Sequence, residues 1–391
     1  MQRSFFLGEE QRIFRESLTR WLEEHWSLAE RRRLAEADPG YSREAWAGLA
    51  EIGALGAFLP ESAGGIGGGG LALMVAMEAF GRALFASPYL WTVALAAPLL
   101  AASGGRGAAL LGKIAEGSAV VSAALTEPRA RYDLHHVETR AERSGGRYRI
   151  SGEKRFVPYG AAAGWIVIPA RSAGGPRDRE GISLFLIDTG RRGIAMRSYA
   201  TADGGRAADV SLDGVEADHD DVLGEAGRGF QLLARAVDLA ILAQAAEAVG
   251  AMRRLQESTL AYAKTREQFG SALASFQALQ HRMVDMFAAV EMAASRVQAA
   301  LARIAGPDEP VEPREAVLTK LHVDRAARLV AQEAVQIHGG MGMTDDLEVG
   351  HHFKRLAMMA LTFADEGKLD ERYRELQGLS GGSREREKEE A

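Results

Sequence analysis

The apolar residues of this chain change their spacing twice, and that double change restricts the possible folds more than any other feature. Over residues 8 to about 118 they recur at helical intervals; in "EEQRIFRESLTRWLEEH", Ile13, Phe14, Leu18, Trp21 and Leu22 fall on one face. The loop-like stretch "LPESAGGIGGGG" interrupts this region, and helical spacing resumes at Leu71. Between about 119 and 216 the period drops to two. "YRISGEKRFV", "WIVIPAR", "ISLFLIDT" and "ADVSLDGV" read as strands, separated by turn signals such as "SGG" and "SAGGPRDREG". Long amphipathic helices are then expected over residues 230–265, 276–304, 312–338 and 349–363. The pattern defines an α+β chain: an N-terminal helical domain at 1–118, a middle β-domain at 119–225 and a C-terminal helical bundle at 226–378. Residues 379–391, which carry "GGSREREKEEA", are expected to be disordered.

Composition narrows the function. With 391 residues, 47% of them hydrophobic, the chain can build more than one core. A formal charge of −6 gives no basic footprint, which argues against nucleic acid and anionic membranes as partners. There is no cysteine, hence no disulfide, thiolate metal site or thiol nucleophile. The nine histidines lack zinc-type spacing. No basic segment followed by an apolar one opens the chain, and the most apolar run, residues 89–102, is too short for a membrane span and contains Pro98. A cytoplasmic location is the expectation.

Three motifs occur in order around the β-region: "ALTEP" at 124–128, "YAKTREQFG" at 262–270 and "AVQIHGGMGMT" at 334–344. Together with the helix, strand, helix order they resemble the acyl-CoA dehydrogenase family, from "LGEEQ" near the start to about Tyr373. The resemblance implies an N-terminal helical domain, a middle β-barrel domain and a C-terminal four-helix bundle. It also implies FAD, an acyl-CoA substrate, an electron-transfer flavoprotein or similar acceptor, and a dimer or tetramer, homomeric or built with a homologous subunit. In such a family a carboxylate removes the proton α to a thioester carbonyl while the flavin takes hydride from the β carbon. Burial is the usual means of making that carboxylate basic.

Carried over residue by residue, Arg266 resembles the arginine that reaches the neighbouring subunit's FAD diphosphate, and Phe269 the aromatic that packs beside its adenosine. A guanidinium fork suits a diphosphate. Gln336, Gly339 and Gly340 match the segment approaching the same cofactor across the dimer, where glycines let backbone come close to an anion. Leu125 and Thr126 take the positions bordering the pyrimidine edge of the flavin ring. The ring side also departs from the family. Phe156 stands where a tryptophan covers the ring, and Pro158 stands in place of a hydrogen-bonding threonine; proline has neither hydroxyl nor amide hydrogen. After "TEP" the usual small, glycine-rich turn reads "RARYD", with Tyr132 at a serine position.

The base is the largest departure. Counted from Arg355, the glutamate position of many members is Ala364, and the alternative position on the long helix is Ala240. Asp365 and Glu366 come later by about 100° and 200° of helix rotation. Beside Gly367 they read either as a helix's polar stop or as re-aimed bases. Glu247, in "LAQAAEAVGAM", lies on nearly the same face as Ala240 but about 10 Å along the axis. These three are the candidate catalytic residues. The alternative is a non-catalytic partner subunit that lends half of a flavin site to a homologue. The stretch "FVPYGAAAGWIVIPAR" resembles a branch associated with bulky acyl groups such as steroid side chains.

Overall fold

The computed structural model describes residues 7–379. Helices come first: α1 (Glu9–His25), α2 (Leu28–Ala35), α3 (Arg43–Glu51), α4 (Gly69–Ala83), α5 (Ala97–Ala101) and α6 (Gly105–Ala115). Serines cap α2 and α3, Ser27 accepting from the Glu30 amide and Ser42 from the Ala45 amide. A π-helical turn, Leu90–Ala96, leads into α5 and is buried along most of its length.

Strands follow: β1 (Val121–Ala123), β2 (Arg140–Ser144), β3 (Arg147–Pro158), β4 (Trp165–Arg171), β5 (Ile182–Asp188), β6 (Ile194–Ala200), β7 (Arg206–Ala217) and β8 (Val222–Leu223). They form one sheet in the order β6-β7-β3-β2-β4-β5-β8, with β1 added parallel to β4. Among the described residues the ladder path runs from β6 to β8 without a ladder joining its two ends. Strand β4 is buried on both faces. Its Ile166 and Ile168 enter the sheet's own core with Phe185 and Val210, while Val167 on the other face joins the helical core. Here "ALTEP" and "GEK" meet. Lys154, fully buried, donates to Glu127 at 2.7 Å and to the Pro169 carbonyl at 2.7 Å. Glu127 also accepts from the Glu138 and Thr139 amides, so the buried pair is hydrogen-bonded on both sides.

The last region begins with α7 (Gly229–Thr265), 37 residues long. A short hairpin, β9 (Glu267–Gln268) and β10 (Ser271–Ala272), leads to α8 (Gln277–Leu301), α9 (Pro313–His338), α10 (Glu348–Leu361) and α11 (Glu366–Leu376). The central part of α7 is buried all round because it crosses α4 at backbone contact. A Cβ on Gly81 would lie 1.9 Å from the Glu247 carbonyl oxygen, and one on Gly250 1.9 Å from that of Glu78. Helix α7 is thereby fixed against the first helical region at the residue expected to carry a carboxylate into the interior.

Candidate functional site

The site grows from an irregularity in β3. Its pairing with β7 slips between Lys154 and Val157, and Phe156 within that bulge takes φ +50°. A bulge re-aims a side chain that a regular strand would keep on its alternating face. Phe156 and Pro158 consequently form a wall shared by two cavities, and Trp91 and Thr362 border both as well. Among the described residues, four of the six non-glycine residues with positive φ (Arg131, Phe156, Tyr159 and Phe363) border these cavities. Strain of this kind persists where surrounding structure enforces it and is concentrated at functional sites.

The first cavity is a slot of about 290 Å³ with mostly apolar walls. Leu125, Thr126, Phe156 and Pro158 line it together with Trp91, Tyr132 and Phe363. The Trp91 and Phe363 rings lie 5.3 Å apart. Pro158 has no donor to offer the slot, and its carbonyl already accepts from the Ser122 hydroxyl at 2.6 Å. Apolar walls with a hydroxyl from Thr126 and a guanidinium from Arg131 fit a flat aromatic ring system with a polar edge.

The second cavity lies on the other side of the wall and is small, about 50 Å³, with strongly polar surroundings. Glu247 reaches it from α7 and is 5% exposed. Arg355 of α10 grips both of its oxygens, at 2.8 Å from Nε and 2.8 Å from Nη2. The remaining Arg355 nitrogen donates to Asp203, in the β6–β7 loop, at 2.6 Å. Arg31 of α2 donates to the Leu84 and Asp203 carbonyls. Burial pushes Glu247 above the ordinary glutamate range, although Arg355 pulls the other way. Asp203 is also buried, yet Arg355, the Thr201 hydroxyl and Arg31 hold it below the usual range. Burial thus keeps Glu247 basic against the pull of Arg355, while the same arginine keeps Asp203 ionised. When Glu247 takes a proton, Asp203 still pairs with Arg355, so that arginine keeps a carboxylate partner.

The other two candidate bases are placed elsewhere. Helix α10 ends at Leu361, and Asp365 is the N-cap of α11, accepting from the Lys368 amide at 2.9 Å. Glu366 binds Arg325 at 2.8 Å and Arg328 at 3.4 Å. Neither carboxylate lines either cavity. The pair begins a helix instead of ending one, and Gly367 lies inside α11. Ala240 and Ala364 are both buried.

Arg266, Phe269, Gln336, Gly339 and Gly340 are brought together, but far from the cavities. Tyr262 and His338 stack at 4.4 Å and bind the ends of α7 and α9 to each other. The five residues are exposed; Phe269 is 94% accessible, and Arg266 has no side-chain partner among the described residues. Nothing lies within 4 Å of a Cβ built on Gly339 or Gly340. At helical rise Arg266 sits roughly 28 Å from Glu247, farther than the ribityl arm that separates a flavin ring from its diphosphate. A free guanidinium beside open glycine backbone fits a diphosphate approaching from outside this chain.

Comparison with known proteins matches the three regions in turn: residues 8–117 to "Acyl-CoA dehydrogenase, N-terminal domain", 122–215 to the middle domain and 227–363 to the C-terminal domain. The chain belongs to the acyl-CoA dehydrogenase family, flavin-dependent oxidoreductases that introduce a double bond between the α and β carbons of acyl-CoA thioesters. It is 30% identical over 309 residues to "Acyl-CoA dehydrogenase, short-chain specific" of Clostridium acetobutylicum, covering 77% of this chain and 80% of that protein. It is 28% identical over 365 residues to "Probable acyl-CoA dehydrogenase YngJ" of Bacillus subtilis, covering 92% and 95%. The crystal structure of the ChsE4-ChsE5 complex from Mycobacterium tuberculosis superposes with a TM-score of 0.84 at 26% identity, covering 96% of this chain and 99% of that one. Among the described residues no helix is long and apolar enough to cross a membrane.

The sequence drew attention to Glu247 but not to its setting. The sequence marks Arg355 only by its place in the last long helix, and nothing local marks Asp203, Arg31 or Tyr159 as its neighbours. A usable signal existed: Gln244 and Glu247 are two polar residues three apart inside the otherwise apolar stretch "AILAQAAEAVGAM".

Proposed function

We propose that this chain dehydrogenates an acyl-CoA thioester with Glu247 as the base, FAD in the slot walled by Leu125, Thr126, Phe156 and Pro158, and electrons passed to an electron-transfer flavoprotein or similar acceptor. The observation that carries this reading is a buried glutamate of raised pKa, held by Arg355 in a cavity that shares a wall with a ring-sized slot. Glu247 takes the α-proton onto a carboxylate oxygen; Arg355, held by Asp203, orients that oxygen before transfer and retains a partner afterwards. Trp91, Phe156 and Phe363 exclude water from the reacting carbons. A bound flavin supplies the hydride acceptor. Arg266, Phe269, Gln336, Gly339 and Gly340 grip the diphosphate and adenosine of a cofactor seated in an adjoining subunit, which makes the active form at least a dimer.

A second reading is favoured by one feature: Arg355 occupies both Glu247 oxygens, whereas the outward half-site is free. In this reading the chain is a partner subunit that completes a homologue's flavin site. Purification separates the two. An active homo-oligomer comes out yellow by itself and bleaches anaerobically with an acyl-CoA. A colourless preparation that turns yellow only on co-expression with a homologous chain rejects the first reading in favour of the second.

A further inference from the structure

The cavity that holds Glu247 contains two polar side chains that the reaction does not use. Gln244, one turn before Glu247 on α7, is 3% exposed and lines the cavity. Its amide makes no hydrogen bond among the described residues. Tyr159, 8% exposed, lines the same cavity with its hydroxyl likewise unpartnered among the described residues. Its backbone is held at φ +52°, its amide donates to the Arg206 carbonyl at 3.0 Å, and its ring packs edge-on against Tyr41 at 6.1 Å. Several neighbouring polar groups are engaged elsewhere: Tyr89 donates to the Ala54 carbonyl, Thr201 to Asp203, and Arg31 to two carbonyls, whereas Arg206, whose charge is matched by Asp38 through Nη2, leaves its buried Nε without a partner among the described residues. Both groups are open to the cavity space, where a water or a ligand atom can pair with them, and a ligand that fills the space must replace that water's hydrogen bonds.

We infer that Gln244 and Tyr159 read an uncharged oxygen, hydroxyl or keto, on a short acyl chain, so that the thioester used here is a compact oxygenated one and not a long alkyl or steroid one. This rests on the proposed acyl-CoA reading of the cavity. Two features set the class. A free volume of about 50 Å³ leaves room for a few heavy atoms. The unused groups are a neutral amide, which donates and accepts, and a phenol that burial keeps protonated and therefore donating. A ligand hydroxyl satisfies both at once, accepting from Tyr159 and donating to the Gln244 carbonyl. A plain alkyl chain would bury the two groups without partners, which a site rejects more strongly than it rejects a missing methylene.

The test uses the full-length flavin-loaded protein, prepared with its partner chain if flavin uptake requires one, and measures dissociation constants by calorimetry for butyryl-CoA, 4-hydroxybutyryl-CoA and octanoyl-CoA. The hydroxylated thioester should bind tighter than butyryl-CoA by about tenfold, and octanoyl-CoA weakest. Gln244→Leu and Tyr159→Phe should each weaken 4-hydroxybutyryl-CoA about tenfold more than butyryl-CoA. Flavin content and melting temperature identify variants that have misfolded, and the second variant then decides. Equal or tighter binding of butyryl- or octanoyl-CoA overturns the inference, as does a preference unchanged in both variants. Flavin retention with no thioester bound also overturns it while leaving the cofactor assignment intact; loss of both removes the proposed function and the inference together.

Discussion

At the scale of single residues the chemistry turns on one arginine shared by two carboxylates. Glu247→Gln keeps the shape but removes the proton acceptor, so turnover of any accepted thioester should fall by about a hundred- to ten-thousand-fold. Stopped-flow bleaching reads the loss, and an undiminished rate would remove Glu247 from the mechanism. Arg355→Gln has the opposite character. It leaves Glu247 and Asp203 as buried like charges, which should push Glu247 further up and move the acidic limb of the pH–rate profile to higher pH. The folded state should also lose about 3–5 kcal/mol, the usual cost of stranding a buried partner. A variant with an unmoved acidic limb would show that Arg355 does not set the base. The sequence disclosed these residues unevenly. Leu125, Thr126, Phe156 and Pro158 were found because they lie beside a motif, and the structure places all four on one slot. Asp203 stands 152 residues before Arg355 in a loop of ordinary composition, and only the tertiary fold brings them together.

At the scale of elements, periodicity located the long helices well, because burial of one face is written into local spacing. The expected helix over 312–338 is observed as Pro313–His338, and that over 230–265 as Gly229–Thr265. Helix α11 was missed, since "EGKLDERYREL" buries only Leu369 and so carries almost no apolar period. The crossing of α4 and α7 was also invisible: glycine in a helix reads as a weak point until the partner backbone is known. Gly81→Ala tests that crossing. Its Cβ would meet the carbonyl of Glu247 itself, so the helices must separate or α7 must shift along its axis. Overpacking of this kind costs about 1–3 kcal/mol. Thermal melting should record a lower transition, and turnover should fall further than the melt alone explains because the base is displaced. A variant with wild-type melting and turnover would mean that the two backbones are not in contact.

At the scale of the whole molecule, the N-terminal and C-terminal helical regions share one continuous core, and a histidine is sealed where they meet. His352 of α10 is fully buried, and neither ring nitrogen has a partner among the described residues. Burial holds its pKa well below the ordinary histidine value, and Arg31 of α2, Arg254 of α7, His351 and Arg82 of α4 lower it further. The folded protein therefore keeps this ring neutral, whereas the unfolded chain protonates it below a pH of about 6.5. Its contribution to stability is fully present above that value and is lost as pH falls, by about 1.4 kcal/mol for each further pH unit until the depressed folded value is reached. Glu78, Asp238, Glu247 and Asp324 have raised pKa values and act with the opposite sign, each stabilising the fold as it takes up a proton on acidification. The informative quantity is accordingly the difference between wild type and His352→Leu in urea unfolding at pH 7.5 and 5.5. Wild type should lose stability relative to the variant by about 1.4 kcal/mol between those conditions. Parallel pH profiles would show that the ring reaches water or a partner in solution, and that the two helical regions separate at this point more readily than their shared core implies.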